Sequence, residues 1–576
     1  DPNWSPDGKK IAYTKAMTGS VFDIWMMNAD GSGQTNLSDS EQADEALPVF
    51  SPDGTRIVYS TNFESLSPRY DLWVMNAADG ENRQRVTMHP ANDLEAVWLS
   101  DTKLVFQSNR ETGYKIYQTD VNDTEVPADR RPKGLNSIAV LPFSLVNLEQ
   151  HYEPLSLGVA EAVTSRLGQI KQLSVRPVNA ESKKAASAAE ALQIGRELNV
   201  NYVLFTRLER GAGNHLAVEA ALQNTESGQA IWSEKFTVGE NEISLLQALI
   251  TERVVQNLSL ELSLTERETL NRKSTTSEEA YQFYLAGRYN LSKRRPENFK
   301  IALVNFEQAV ALDPKFALAF AGLADTYALM NLYPPAPPDG YRQARQNAEK
   351  ALSLDDSLPE AYASLGLVEF YGDRRFSEAE KNLRRALGLN PSYAQARHWL
   401  ALVMSAQGKT DDALRQIEIA QRLDPQSVFA VVAHGNILLY ARQYALAAEQ
   451  YRKVLARDVG FIQAYTGLRR ALELDGKFDE AMTVLGQERI YHAGSNEFHL
   501  RLSQAETLAA AGKREEAETA LREAFALPDA GRLQKTSAYH ISTVYALLGD
   551  ARETVKWLRA AEAEKRNEMN FLAVSP

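Results

Sequence analysis

The chain of 576 residues holds eight histidines, 75 aspartates and glutamates and no cysteine, and these bound its chemistry. Without a thiol there is no disulfide, no thiolate metal site and no cysteine nucleophile. A zinc hydrolase helix needs two histidines one turn apart around a glutamate, and no His-Glu-x-x-His occurs. The Gly-x-Ser-x-Gly elbow that lifts a serine nucleophile out of a sheet is missing as well. Gly408-Lys409-Thr410 resembles the end of a phosphate loop, but Val403 stands where the leading glycine is needed. Gly211-Ala212-Gly213 lacks the third glycine of a dinucleotide turn, and Asn28-Ala29-Asp30-Gly31 lacks the glutamate that closes a calcium loop. The remaining carboxylates are expected on solvated surfaces. No catalytic residue, metal ligand or cofactor site is therefore expected, and the chain reads as a non-enzyme.

Charge narrows the partners. A net charge of -12 leaves no cationic excess to neutralise a phosphate backbone, and the longest basic run is Lys293-Arg294-Arg295. Direct nucleic-acid binding is not expected. No run approaches the roughly 18 apolar residues of a membrane span. The absence of cysteine is compatible with either side of a bacterial membrane. At roughly 150 residues per domain the length predicts three or four domains, and the chain enters in mid-repeat, as expected of a piece of a longer protein.

The elements that would position any site fall into three regions. Trp4-Ser5-Pro6-Asp7-Gly8 returns as Phe50-Ser51-Pro52-Asp53-Gly54, and Asp23-Ile24-Trp25-Met26-Met27-Asn28 as Asp71-Leu72-Trp73-Val74-Met75-Asn76. That period of about 46 to 48 residues is typical of propeller blades. Proline presets φ, aspartate folds onto nearby backbone and glycine accepts positive φ, so Ser-Pro-Asp-Gly predicts a turn between antiparallel strands. A third, eroded copy carries Leu104-Val105-Phe106 and Lys115-Ile116-Tyr117, with Thr102 in the glycine's place. Residues 1–122 resemble the WD40-like propeller repeats of the TolB family, in about three blades. The resemblance implies a protein-binding face.

A polar linker is expected over 123–134, and a small α/β domain over 135–265. Ser137 to Phe143 reads as a strand buried on both faces. Helices are predicted near Leu157–Leu167, Ala188–Leu198 and Ile243–Leu260, with a three-stranded meander from Tyr202 to Phe236. The motifs from Ser137 to Phe143, Ile194 to Leu204 and Thr225 to Ser233 resemble the TolB-like amino-terminal domain. That domain precedes tetratricopeptide (TPR) repeats in bacterial CadC-like regulators, receptor Ser/Thr kinases and adenylate cyclases. The resemblance brings no catalytic residues, and Arg196-Glu197 is expected to be an exposed helix ion pair.

From Ser277 a period of about 34 residues appears. Ala302, Phe306, Ala309 and Pro314 return as Ala379, Leu383, Ala386 and Pro391, then as Ala413, Ile417, Ala420 and Pro425. Small residues let paired helices approach, the larger one fills the gap between pairs, and proline ends the second helix. A TPR superhelix of about eight repeats is expected over 277–565, with a proline-rich insertion at Pro334–Pro338. The fold class is thus multidomain: a partial all-β propeller, a small α/β domain and an all-α superhelix. Such a superhelix exposes a concave face that grips a peptide. Repeat register places Phe370, Tyr371, His398, Phe429, Asn436, Tyr440 and Arg470 in that groove. The expected function is a protein- or peptide-binding sensor and scaffold segment of a bacterial signalling or transcriptional regulator; a stand-alone periplasmic scaffold related to the Tol system is the alternative.

Overall fold

A computed structural model describes residues 2–16, 22–38, 44–62, 70–81, 83–87, 92–111, 113–121, 136–149, 152–178, 182–211, 213, 215–239, 242–260, 262–332, 337, 339–491, 497–528, 530–564 and 567–575. The linker 123–134 and most of the Pro334–Pro338 insertion lie outside them. The chain forms two compact units, residues 1–137 with 171–174 and residues 138–170 with 175–576.

The first unit is built of blades. Strands β1 (Asn3–Trp4), β2 (Lys10–Ala16), β3 (Phe22–Asn28) and β4 (Thr35–Asn36) form one antiparallel sheet in chain order. The sequence repeat then produces a second, with β5 (Glu45–Phe50), β6 (Arg56–Thr61), β7 (Asp71–Asn76) and β8 (Gln84–Arg85). The eroded copy gives β9 (Asp93–Trp98), β10 (Lys103–Glu111) and β11 (Gly113–Asp120). Strand alternation divides the second blade between two cores. Ile57, Tyr59, Trp73 and Met75 pack with Ala12, Ile24 and Met26 of the first blade. Val58, Leu72 and Val74 pack with Leu104 and Phe106 of the third.

The motif's polar residues are consumed by its own turn. Ser5 donates to Asp7 at 2.7 Å while its hydroxyl accepts the Lys10 amide at 2.9 Å. Ser51 and Asp53 repeat this at 2.6 Å, with the Arg56 amide at 3.0 Å. Gly8 and Gly54 hold φ at +69° and +72°, the left-handed region.

In the second unit a mixed sheet has strand order β14–β12–β15–β16–β17: β12 (Asn136–Val140), β14 (Leu173–Arg176), β15 (Tyr202–Arg210), β16 (His215–Asn224) and β17 (Ala230–Gly239). A short strand β13 (Ser144–Val146), absent from the sequence reading, also runs parallel to β15. The helices are α1 (Glu153–Gly168), α2 (Ala188–Glu197), α3 (Ile243–Asn257) and an unforeseen α4 (Leu264–Asn271). α4 is closed by a capping box in which Ser263 and Glu266 satisfy each other's backbone. One expectation is corrected here. Arg196 donates to the Thr225 carbonyl at 2.8 Å and Glu197 takes Lys183 at 2.5 Å, because neighbours in a helix point to different faces.

Helix pairs follow: α5 (Glu278–Ser292) with α6 (Pro296–Leu312), α7 (Ala317–Met330) with α8 (Gly340–Leu354), and α9 (Pro359–Leu367) with α10 (Phe376–Leu389). α9 runs on into a single π turn, Val368–Gly372. Next come α11 (Ala394–Ala406) with α12 (Thr410–Leu423), and α13 (Val428–Tyr440) with α14 (Tyr444–Arg457). The array closes with α15 (Ile462–Leu474) and α16 (Phe478–Tyr491), α17 (Glu497–Ala510) and α18 (Arg514–Phe525), a short α19 (Ala530–Thr536), and α20 (Ala538–Leu547) with α21 (Ala551–Ala563).

Their spacing is set by glycine against a large ring. A Cβ on Gly287 would sit 2.6 Å from Phe306, and one on Gly322 2.5 Å from the same ring. Tyr451 is held likewise, 2.7 Å from a Cβ at Gly435 and 2.4 Å from one at Gly467. One aromatic ring thus fills the gap between two successive first helices, and neither glycine tolerates a methyl without the ring shifting.

Candidate functional site

The expected groove residues all lie on first helices or, for Phe370 and Tyr371, on the π turn that extends one. The structure does not gather them into one patch. It divides them among three settings.

The first setting is formed with the α/β domain, whose α1 lies along α5. Gly158 of α1 meets Leu285 so closely that a Cβ would stand 3.0 Å from its Cβ. Around this contact is a charge cluster in which Asp325 is buried and Arg288 and Glu161 are partly buried. Arg288 of α5 pairs with Glu161 of α1 and lies 4.0 Å from Asp325 of α7. Ser165 donates to Glu360 of α9 at 2.6 Å, and Ser392 accepts the Val175 amide at 3.0 Å. Burial would lower the basicity of Arg288, but Glu161 and Asp325 outweigh it and hold the guanidinium charged. Burial pushes the Asp325 carboxyl up, against the pull of Arg288.

Beside this cluster opens a cavity of about 360 Å³ lined by both the α/β domain and the solenoid. Two expected residues, His398 and Phe429, line it. Phe429 meets Phe461 edge-on at 5.5 Å between ring centres, and the Arg294 guanidinium lies 5.3 Å over its face. Burial, with Arg294 adding to it, lowers His398 to about 3, so the imidazole is neutral at physiological pH. Asp424 and Asp458 supply carboxylates on the same wall. The cavity therefore offers an apolar aromatic wall, a guanidinium, a neutral imidazole and acceptors, a set suited to side chains and backbone of an extended peptide.

Arg294 stands out by its backbone. In the turn between the two helices of a pair, Gly408, Gly476, Gly512 and Gly549 have φ between +74° and +78°, whereas the same position is Arg294, Arg374 and Arg442 in three other pairs, at +49°, +55° and +61°. A side chain in the left-handed region costs about 1–2 kcal/mol relative to one that avoids it.

In the second setting Phe370 is buried and its neighbour Tyr371 is tilted against it at 4.5 Å. Tyr440 stacks on Phe571, from the far end of the chain, at 5.0 Å and 12°. The third setting is internal. Asn436 accepts from the Tyr451 hydroxyl at 2.7 Å, and Arg470 pairs with the buried Glu506. Arg469, 1% exposed, bridges Glu506 at 2.8 Å and Glu473, so this charge cluster links α15 to α17. The arginines and His540 hold Glu506 well below the usual carboxylate range in spite of its burial. The expectation that the carboxylates are solvated surface groups is thus corrected at Asp325, Glu369, Glu473 and Glu506, all buried.

Sequence reasoning missed Phe461, Tyr393 and Arg294. A signal existed for Tyr393: Pro314-Lys315-Phe316 and Pro391-Ser392-Tyr393 both place an aromatic residue two positions after the helix-ending proline. Arg294 was passed over as part of a basic run; only its positive φ and its place over Phe429 set it apart. Among the described residues no group of three or more His, Asp or Glu is arranged to hold a metal ion, and no helix is long and apolar enough to cross a membrane.

Residues 1–131 match the model of the TolB beta propeller domain, and residues 370–433 that of the tetratricopeptide repeat. A Rhizobium meliloti protein that carries an adenylate cyclase name is 28% identical over 247 residues, 42% of this chain and 42% of its own length. The transcriptional regulator HilA of Salmonella typhimurium is 24% identical over 318 residues, 53% of this chain and 54% of HilA. The Tol-Pal system protein TolB of Anaeromyxobacter dehalogenans is 38% identical over 97 residues, 17% of this chain and 21% of TolB. The chain thus spans about half or less of the length of these curated relatives. It joins a TolB-type propeller region at its N-terminal end to tetratricopeptide repeats in its C-terminal half.

Proposed function

We propose that this chain is a non-catalytic, protein- or peptide-binding segment of a bacterial signalling or transcriptional regulator, and that it takes an extended peptide into the cavity bounded by His398, Phe429, Phe461 and Arg294. The observation that carries this is Arg294. Its turn position is glycine in four other pairs and arginine in two, and it is Arg294 that lays its guanidinium over Phe429 at the cavity wall. A residue kept against local conformational preference points to a use outside folding. Relatives named as a transcriptional regulator and as an adenylate cyclase support the regulatory context.

The test is a peptide-library selection against the chain, followed by calorimetric titration of the peptides obtained. Arg294→Gly is expected to weaken them about tenfold or more while leaving the melting temperature equal or higher. Peptides that bind the variant as tightly as the unmodified chain sink the reading.

A second reading, an envelope scaffold, is favoured by the propeller match and the TolB relative. Deleting the gene separates the two. Altered transcripts without detergent sensitivity support the regulator, and a leaky envelope with unchanged transcripts supports the scaffold.

A further inference from the structure

The aromatic slot on the solenoid is occupied by the chain itself. After α21 the chain forms a short 3-10 turn, Asn567–Phe571. Within it Phe571, 8% exposed, stacks on Tyr440 of α13 at 5.0 Å and meets Phe370 edge-on at 5.7 Å. Asn570, 3% exposed, donates from its side-chain amide to the Phe370 carbonyl at 3.0 Å. The turn therefore reaches two different repeats, one through rings and one through rings and a backbone acceptor.

A second feature fixes the approach. Arg374, another of the arginines in the left-handed turn position, pairs with Glu562 of α21 just before the segment. This is the same departure from glycine seen at Arg294. Arg294 sets its guanidinium over Phe429 of α13 and Arg374 sets its own on Glu562 of α21.

We propose that the slot between Phe370 and Tyr440 is a docking site for a partner peptide presenting an asparagine-aromatic pair, and that residues 567–575 are its built-in competitor. The inference rests on the reading of the solenoid as a peptide binder but uses different residues from the Arg294 cavity. Two rings and one carbonyl recognise the pair: the aromatic residue enters between the rings, and the amide before it reads the Phe370 carbonyl. The segment follows α21 in the same chain, which gives it an effective concentration on the order of 1 mM. A free peptide therefore meets an apparent affinity weakened by the ratio of that concentration to the segment's own dissociation constant. A partner must bring either higher affinity or contacts elsewhere in the groove.

The experiment uses the full chain and a fluorescein-labelled synthetic peptide of residues 563–576. Phe571→Ala is expected to bind the peptide at least about tenfold more tightly than the unmodified chain, because its own competitor is disabled. Adding Tyr440→Ala to that variant is expected to abolish the gain. Equal binding by the unmodified chain and the F571A variant, or a gain that survives Y440A, overturns the proposal. Should F571A fail to fold, hydrogen exchange of the unmodified chain decides: excess peptide is expected to speed exchange of the amides of 567–575, and a peptide with alanine for the phenylalanine is not. Identical exchange with both peptides overturns it. Failure here with selected peptides still dependent on Arg294 leaves the proposed function intact, while loss of Arg294 dependence with a positive result here removes the cavity and keeps the slot.

Discussion

In the blades, the residues that mark the repeat are used within a few positions of themselves: Ser5 and Asp7 bond each other and the next strand's first amides, and Ser51 and Asp53 do the same. In the solenoid, the marking residues act between repeats, as Phe306 does between Gly287 and Gly322 and Tyr451 between Gly435 and Gly467. The blade signature is therefore turn chemistry and the solenoid signature is packing chemistry. A packing signature leaves other positions open, and Arg288, His398, Phe429 and Tyr440 lie outside the small-large-small pattern. The difference teaches that the legible part of a repeat protein is its scaffold.

The comparison breaks most visibly at Arg288. If the charge cluster between α1 and the first repeats is structural, Arg288→Ala strands Glu161 and Asp325 in a buried site, and urea unfolding should show a loss of about 3–5 kcal/mol. Arg288→Met combined with Glu161→Met and Asp325→Asn should recover most of it, since neutral side chains of similar volume replace the whole buried charge cluster at little cost.

The packing claim is sharpened at Gly435. Gly435→Ala drives a methyl into Tyr451, which Gly467 crowds from the other side, and the melting curve should reflect a loss of about 1–3 kcal/mol. Gly408→Ala tests the other glycine class. Nothing stands within 4 Å of its Cβ, so any loss comes only from the left-handed backbone, about 1–2 kcal/mol.

At Phe429 the expected effect is on binding. Phe429→Ala should weaken selected peptides about tenfold, measured by titration calorimetry, because it removes the ring shared by Phe461 and Arg294.

In pH the two units should differ in sign. Burial raises Glu45 in the blades to about 8, so the folded blades bind a proton that the unfolded chain releases above its ordinary value near 4.5; stability falls as pH rises from about 4.5 to 8. Burial lowers His398 to about 3, so the unfolded chain takes up a proton near pH 6.5 that the folded solenoid refuses; stability falls as pH drops below 6.5 towards 3. Melting temperatures across pH 4 to 8 should become flatter at the alkaline end in Glu45→Gln and at the acid end in His398→Gln.

The sequence by itself determined the kinds of element and their periods. Ser-Pro-Asp-Gly dictates its turn through local bonds, alternation in β6 and β7 dictates which residues face which core, and the small-large-small spacing dictates paired helices. All of this acts over a few residues or one repeat, so it is written locally. What only the tertiary structure decided is how the concave face is filled. Sequence reading expects Phe370 and Tyr440 together in a groove, but no local pattern states that the ring between them is Phe571, whose neighbour Asn570 bonds a carbonyl 200 residues back at Phe370. Glu161 likewise became a partner of Arg288 only when α1 came to lie along α5. The first of these contacts depends on the course of several repeats and the second on how the α/β domain docks on the first one, and a contact that pairs residues 127 or 200 positions apart carries no periodic trace in the chain.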